Sequence, residues 1–254
     1  MPRTTSLCTS AAMLAAGLLA GGLAVAPLPA IAAPNYLADA QRLLKQGDVR
    51  AAMIQLRNAV KANPKNAVAQ YQLGVLDLRL GDGVAAEKQA RAALDAGYNA
   101  RLATELLARA YLAQRRYDAL LREMPANQAD PAVKAAVLVA RGYAQLGLQQ
   151  PTEAKAAFEQ AAKLAPKSPD PLLGEARLAL LQHDAAAATA RLDAVLALDP
   201  KQVDALVLKA QLLRGTGNPK GALALLNTAV AAAPGAPTPL AERAATNIML
   251  GQDA

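Results

Sequence analysis

Aromatic side chains are nearly missing from this sequence, which has no tryptophan, one phenylalanine and six tyrosines in 254 residues. Recognition of single-stranded nucleic acid leans on stacking platforms, so that function class is disfavoured. Cysteine is as scarce, with Cys8 alone. A chain that loses the segment around Cys8 has neither a disulfide nor a thiolate nucleophile, and an oxidising compartment costs it nothing. His183 is the only histidine, and no His, Cys and carboxylate cluster falls at metal-ligand spacing. Neither G-x-x-x-x-G-K-S/T nor G-x-S-x-G occurs, and no carboxylate pair stands out as acid and base. We therefore expect no catalytic residue, no metal site and no cofactor, and read the chain as a non-enzyme.

What is present is a period. Pro166, Pro200 and Pro234 each close an apolar run and are equally spaced, and three further such intervals back from Pro166 stands Pro64. Such a fixed interval marks a helical repeat array. Between Pro200 and Pro234 lie Leu206, Ala210, Leu213, Gly217, Ala222, Leu226 and Ala229; one period earlier the same slots hold Leu172, Ala176, Ala179, His183, Ala188, Leu192 and Val195. Both halves of the set have helical spacing and the Gly or His between them breaks it, so each repeat is two amphipathic helices joined by a tight turn. His183 is thereby read as an exposed turn residue. An array has no single core, so length does not count its domains.

The slot pattern, with its period of about 34 residues, resembles the tetratricopeptide repeat (TPR), on Leu73-Gly74 with Gly81 and Ala86, Leu107-Ala108 with Tyr111, Val139-Ala140 with Tyr143, and Ala154 with Phe158, Ala161 and Pro166. The resemblance implies an all-α fold, an α-α superhelix (TPR solenoid) of about six helix-turn-helix repeats plus a terminal helix. Repeats are expected near residues 33–66, 67–100, 101–132, 133–168, 169–202 and 203–236, with the terminal helix over 237–251.

Residues 1–32 read as a secretory signal peptide: Arg3, an apolar stretch over 7–25, and Ala30-Ile31-Ala32 as the cleavage site after Pro27 and Pro29. The alternative is an uncleaved membrane anchor, since the apolar stretch is nearly long enough to span a bilayer. Cys8 precedes the apolar core and is not placed as a lipoprotein acceptor. Lys45-Gln46-Gly47-Asp48, the run from Ala51 to Ala59, and Leu80-Gly81-Asp82 with Ala86-Glu87-Lys88 are similar to the TPR-repeat protein of the exosortase/PEP-CTERM sorting system, of which this chain resembles an N-terminal portion or a shorter relative. That resemblance implies a periplasmic protein of a Gram-negative bacterium linked to exopolysaccharide export or surface sorting; with the leader retained, the protein would be anchored in the inner membrane and face the periplasm.

Two repeats are irregular. In the third, Arg115-Arg116 makes the turn, and Pro125 must end the second helix, because proline inside a helix costs about 3 kcal/mol. In the fourth, we expect Leu148-Gln149-Gln150-Pro151 to make a turn two residues longer than its siblings, which puts Ala140 in the small-residue slot.

By the TPR resemblance, the residue after that small slot points into the concave face: Gln41, Val75, Arg109, Arg141, Arg177, Gln211 and Ala245. Arginine in three consecutive repeats suits carboxylate or phosphate; the plainer reading is solvated arginines, or arginines paired with acids such as Glu105 and Glu175. One turn earlier on the same face lie Leu37, Tyr71, Glu105, Val137, Leu173 and Val207, a mixed row whose apolar members suit a peptide or belong to the core. The expected binding residues are Gln41, Tyr71, Arg109, Arg141, Arg177 and Gln211. The formal charge is +7, and +6 once Arg3 leaves with the leader. The partner is thus expected to be an acidic protein or peptide, with an anionic polysaccharide as the alternative, no nucleic acid, and a membrane only if the leader stays.

Overall fold

The computed structural model describes residues 35–252. The leader, its cleavage site and Cys8 lie outside them. Among the described residues there are thirteen helices and no strand. They run in pairs: α1 (Tyr36–Lys45) with α2 (Val49–Ala62), α3 (Ala67–Arg79) with α4 (Gly83–Asp95), α5 (Ala100–Ala113) with α6 (Tyr117–Glu123), and α7 (Pro131–Gly147) with α8 (Pro151–Leu164). Then come α9 (Asp170–Leu181) with α10 (Ala185–Leu198), α11 (Val203–Gly215) with α12 (Pro219–Ala232), and α13 (Pro237–Met249) last. The two helices of a pair pack on each other, and each pair packs on the next, as in a solenoid.

The turn inside each pair sets the period. Gly47, Gly81, Arg115, Gln149, His183, Gly217 and Gly251 all have φ between +55° and +85° and follow one another at a constant interval. The next residue caps the following helix where its side chain can: Asp48, Asp82, Asp184 and Asn218 each accept a backbone N–H bond at 2.9 Å. Arg116 and Gln150 stand in the same place and make no such bond.

This geometry corrects the expected register of the fourth repeat. The left-handed residue is Gln149, in step with Arg115 and His183, so the turn carries no insertion. The extra length lies at the other end, where α7 starts early at Pro131 and runs 17 residues against 12 in α9. Counting from the turn, the small slot is Gly142 rather than Ala140, and the residue that follows it is Tyr143 rather than Arg141. Packing enforces this choice. A Cβ on Gly142 would come within 2.5 Å of the Phe158 ring, and one on Gly174 closer still, so the only phenylalanine is seated between two glycines. Elsewhere the same B-helix slot holds Leu56, Leu192 or Leu226, all buried, facing alanines such as Ala40, Ala176 and Ala210.

The third pair is short on one side, since α6 has only 7 residues. Polar contacts take the place of the missing turns. The Arg141 guanidinium donates to the carbonyls of Leu121 and Met124 at 2.7 and 3.1 Å, closing the C-terminus of α6. Tyr111, fully buried, donates its hydroxyl to Glu123 at 2.6 Å, Arg91 bridges Glu87 and Glu123, and Arg116 bonds Glu87 at 2.6 Å. Burial and the bond to Glu123 push the Tyr111 phenol up to about 12, while hydrogen bonds from Tyr111 and Arg91 hold the Glu123 carboxyl below its usual range.

At the far end, α13 turns Thr246 inward to full burial. Its hydroxyl donates to the Glu242 carbonyl, and the Glu242 side chain accepts from Gln211 and Arg214.

Candidate functional site

A groove of about 720 Å³ runs across α5, α7, α9 and the start of α11. Its lining falls into three columns, each recurring once per repeat. Counting along each first helix of a pair, the outer column holds Ala136, Asp170 and Asp204; the floor holds Glu105, Val139 and Leu173; and the inner column holds Arg109, Tyr143 and Arg177. Ala108, Ala140 and Leu112 complete a floor that is apolar except at Glu105, which pairs with Arg101, and Asp199, Lys201 and Val203 lie at the α11 end.

The structure sorts the expected binding residues. Arg109 is exposed in the groove and makes no ion pair among the described residues. Arg177 lines it too, but its guanidinium pairs with Asp204 at 2.9 Å and lies 5.9 Å over the Tyr143 ring. Arg141 does not belong to the stripe, because it is spent on the carbonyls of α6. Its place goes to Tyr143, whose phenol is pushed up to about 12 by burial. Gln211 donates to Glu242 at 2.6 Å and is held against α13. Gln41 is exposed on α1, remote in sequence from the groove. Tyr71 stacks on Tyr98, with ring centroids 4.4 Å apart. Burial raises its pKa first and the neighbouring Tyr98 and Glu105 add to the rise, so this pair sits beside the groove's α5 end.

The neighbouring row shifts by the same two residues. Val137 is 1% exposed and belongs to the core, while Val139 lines the groove. The arginines also have partners other than the acids first considered, since Glu105 pairs with Arg101 and Glu175 with Arg191. Desolvation, followed by Asp170 among the raising charges, lifts the Glu105 carboxyl above its usual range even with Arg101 beside it. Of the acidic residues in the lining, Glu105 was expected on this face, whereas Asp170, Asp199 and Asp204 were not. Four carboxylates, Glu105, Asp170, Asp199 and Asp204, face three cations, Arg109, Arg177 and Lys201, so the groove is charge-mixed and not basic. Counting back two turns from the Arg column, in the register set by the turns, would have found Asp170 and Asp204. His183 is an exposed turn residue with φ +59°. Among the described residues no group of three His, Cys, Asp or Glu is placed to hold a metal, and no helix is long and apolar enough to cross a membrane.

Comparison with known proteins agrees with this architecture. Family models described as tetratricopeptide repeat match residues 37–96, 135–168 and 179–244. Among solved structures, PilF of Pseudomonas aeruginosa is 23% identical with a TM-score of 0.50, over 83% of this chain and 96% of that one. PilW, described as a type IV pilus biogenesis factor, is 18% identical with a TM-score of 0.52, over 81% and 96%. A thermophilic TPR protein of Thermus thermophilus is 21% identical with a TM-score of 0.50, over 84% and 98%. No curated protein sequence matches the chain. With a left-handed turn in every repeat, small residues at the crossings and repeat matches near both ends of the helical array, the chain belongs to the tetratricopeptide repeat family, whose domains generally serve as scaffolds that bind protein partners.

Proposed function

We propose that this protein is an exported, non-enzymatic scaffold that holds a segment of a partner protein in the groove between α5 and α11. The observation carrying this reading is the groove itself, an open trough with an apolar floor and charged side chains on both flanks. Export to the periplasm is supported by the signal-peptide pattern of residues 1–32, and an inner-membrane anchor facing the periplasm is the form it takes if the leader stays. A place in exopolysaccharide export or exosortase-linked sorting is supported by the likeness of residues 45–59 and 80–88 to that TPR subgroup. Direct binding of a polyanion along the arginines is disfavoured, because Arg109 alone of the three is unpaired and four carboxylates share the groove.

Val139→Arg fills the floor, whereas Lys155→Glu alters an exposed position on α8. Capture of partners from an envelope fraction of the source cells should lose its specific protein with the first change and keep it with the second. Equal recovery by both would defeat the groove as the binding face. Intact mass of the secreted protein should correspond to a start at Ala33, and a retained Met1 would mean a tethered protein.

A further inference from the structure

We infer that the groove takes an amphipathic α-helix laid across α5, α7 and α9, with its apolar face on the floor, a basic edge toward Asp170, and an acidic residue opposite Arg109. This rests on the groove being the binding face and specifies what lies in it.

Width is the first argument. Asp170 and Arg177 are seven residues apart on α9, and the same seven separate Ala136 from Tyr143 and Leu102 from Arg109. At 1.5 Å per residue the two flanking columns stand about 10 Å apart, close to the diameter of a helix with its side chains. The floor between them is low at Ala108 and Ala140, which carry only methyl groups, and it rises at Val139 and Leu173. Low positions beside higher ones let a rod settle with its ridge in the trough.

Backbone hydrogen bonding decides against an extended ligand. Every floor residue from Ala108 to Leu173 lies within a helix whose own ladder uses its N–H and C=O groups. An extended segment would find no strand edge to pair with, whereas a helix brings its backbone already satisfied.

Charge then sets the direction. Asp170 and Asp199 have no ion pair among the described residues and outnumber Lys201 on the outer flank, where Asp204 is taken up by Arg177. On the inner flank Arg109 is the unpaired charge. The Arg177–Asp204 pair spans the trough at the α11 end, so the open span runs from α5 to α9. A helix with lysine or arginine on one edge and glutamate or aspartate on the other complements both flanks, and the charge-mirrored helix repels them.

The test is selection of random 16-residue peptides displayed on phage against the protein and two variants. Against the unchanged protein, winners should show apolar residues at i, i+3 or i+4 and i+7, bordered by basic and acidic edges. Arg109→Glu/Asp170→Lys, both on exposed side chains, should select the mirrored pattern, and a synthetic winner should bind it about tenfold more weakly by fluorescence anisotropy. Winners that keep the same charges on that variant, yet are excluded by Val139→Arg, would overturn the polarity and leave groove docking standing. Winners indifferent to Val139→Arg, or no enrichment at all, would overturn both. Circular dichroism melts of each variant confirm that the array is intact.

Discussion

Phe158 is a buried ring that the array seats between two glycines. A methyl on Gly142 would press on that ring from α7; the same slot holds alanine at Ala40, Ala108, Ala176 and Ala210, and glycine again at Gly74, where a Cβ would meet the Leu106 side chain at 2.9 Å. Gly142→Ala should therefore lower stability by about 1–3 kcal/mol through overpacking. The loss should shrink in the Phe158→Leu background, where the clash is gone. Urea denaturation of the four proteins of this cycle checks it, and additive losses would show that Gly142 is not there for Phe158. Asp77 is a different kind of residue, a carboxylate 4% exposed in α3. Desolvation raises its pKa; Arg57 opposes and Asp82 adds to the rise. A raised folded-state pKa means that this contribution to stability is present below the unfolded value and is lost as pH rises through the folded one. Asp77→Asn should thus melt higher than the parent at pH 7, and the difference should close toward pH 4. A constant difference across that range would rule out titration of Asp77 as the cause.

At the scale of elements, the turns into α6 and α8 are the weak joints. Each has a bulky left-handed residue where the siblings have glycine or histidine, and neither following residue caps its helix. Left-handed backbone costs a residue with a Cβ about 1–2 kcal/mol, and a missing N-cap about 1 kcal/mol. Gln149→Gly and Gln150→Asp should each stabilise the fold by about 1 kcal/mol, read as a rise in the denaturation midpoint. No rise with Gln150→Asp would mean that the α8 terminus is satisfied in some other way. Helix α6 depends instead on Arg141, whose guanidinium stands in for the next turn. Arg141→Ala should speed amide exchange in residues 117–130 by at least tenfold and leave peptide binding in the groove within about twofold. A large loss of binding with normal exchange would restore Arg141 to the recognition surface.

Over the whole molecule, the main helix contacts run between pair-mates and neighbouring pairs. The clamp of Glu242 on Gln211 and Arg214 ties α13 to α11, while the Arg79 guanidinium at the end of α3 approaches Gly235 in the loop before α13. Ending the chain after residue 236 should accelerate amide exchange in α11 and α12 while leaving α1 to α4 unchanged, as nearest-neighbour coupling requires. A uniform loss of protection would mean that the array unfolds as one unit. The charge pattern also belongs to this scale. A formal charge of +7 suggested a basic face, yet the groove gathers four carboxylates and three cations, so the excess lies elsewhere.

Period, pairing and helix ends were legible in the amino acids because they follow from local rules. A left-handed turn wants glycine, the next position wants a short acceptor, and apolar spacing marks the buried faces. The same rules failed at the fourth pair. Gln149 and Gln150 carry neither signal, so nothing local showed that the surplus residues lay at the start of α7, and a slip of two positions put Arg141 on the stripe in place of Tyr143. Only packing settles that register, because the Phe158 ring fits against a residue with no Cβ. Only tertiary structure also decides which charges are free: Arg109, Arg141 and Arg177 look alike along the chain, and they differ solely in what the neighbouring pair brings within reach of each guanidinium.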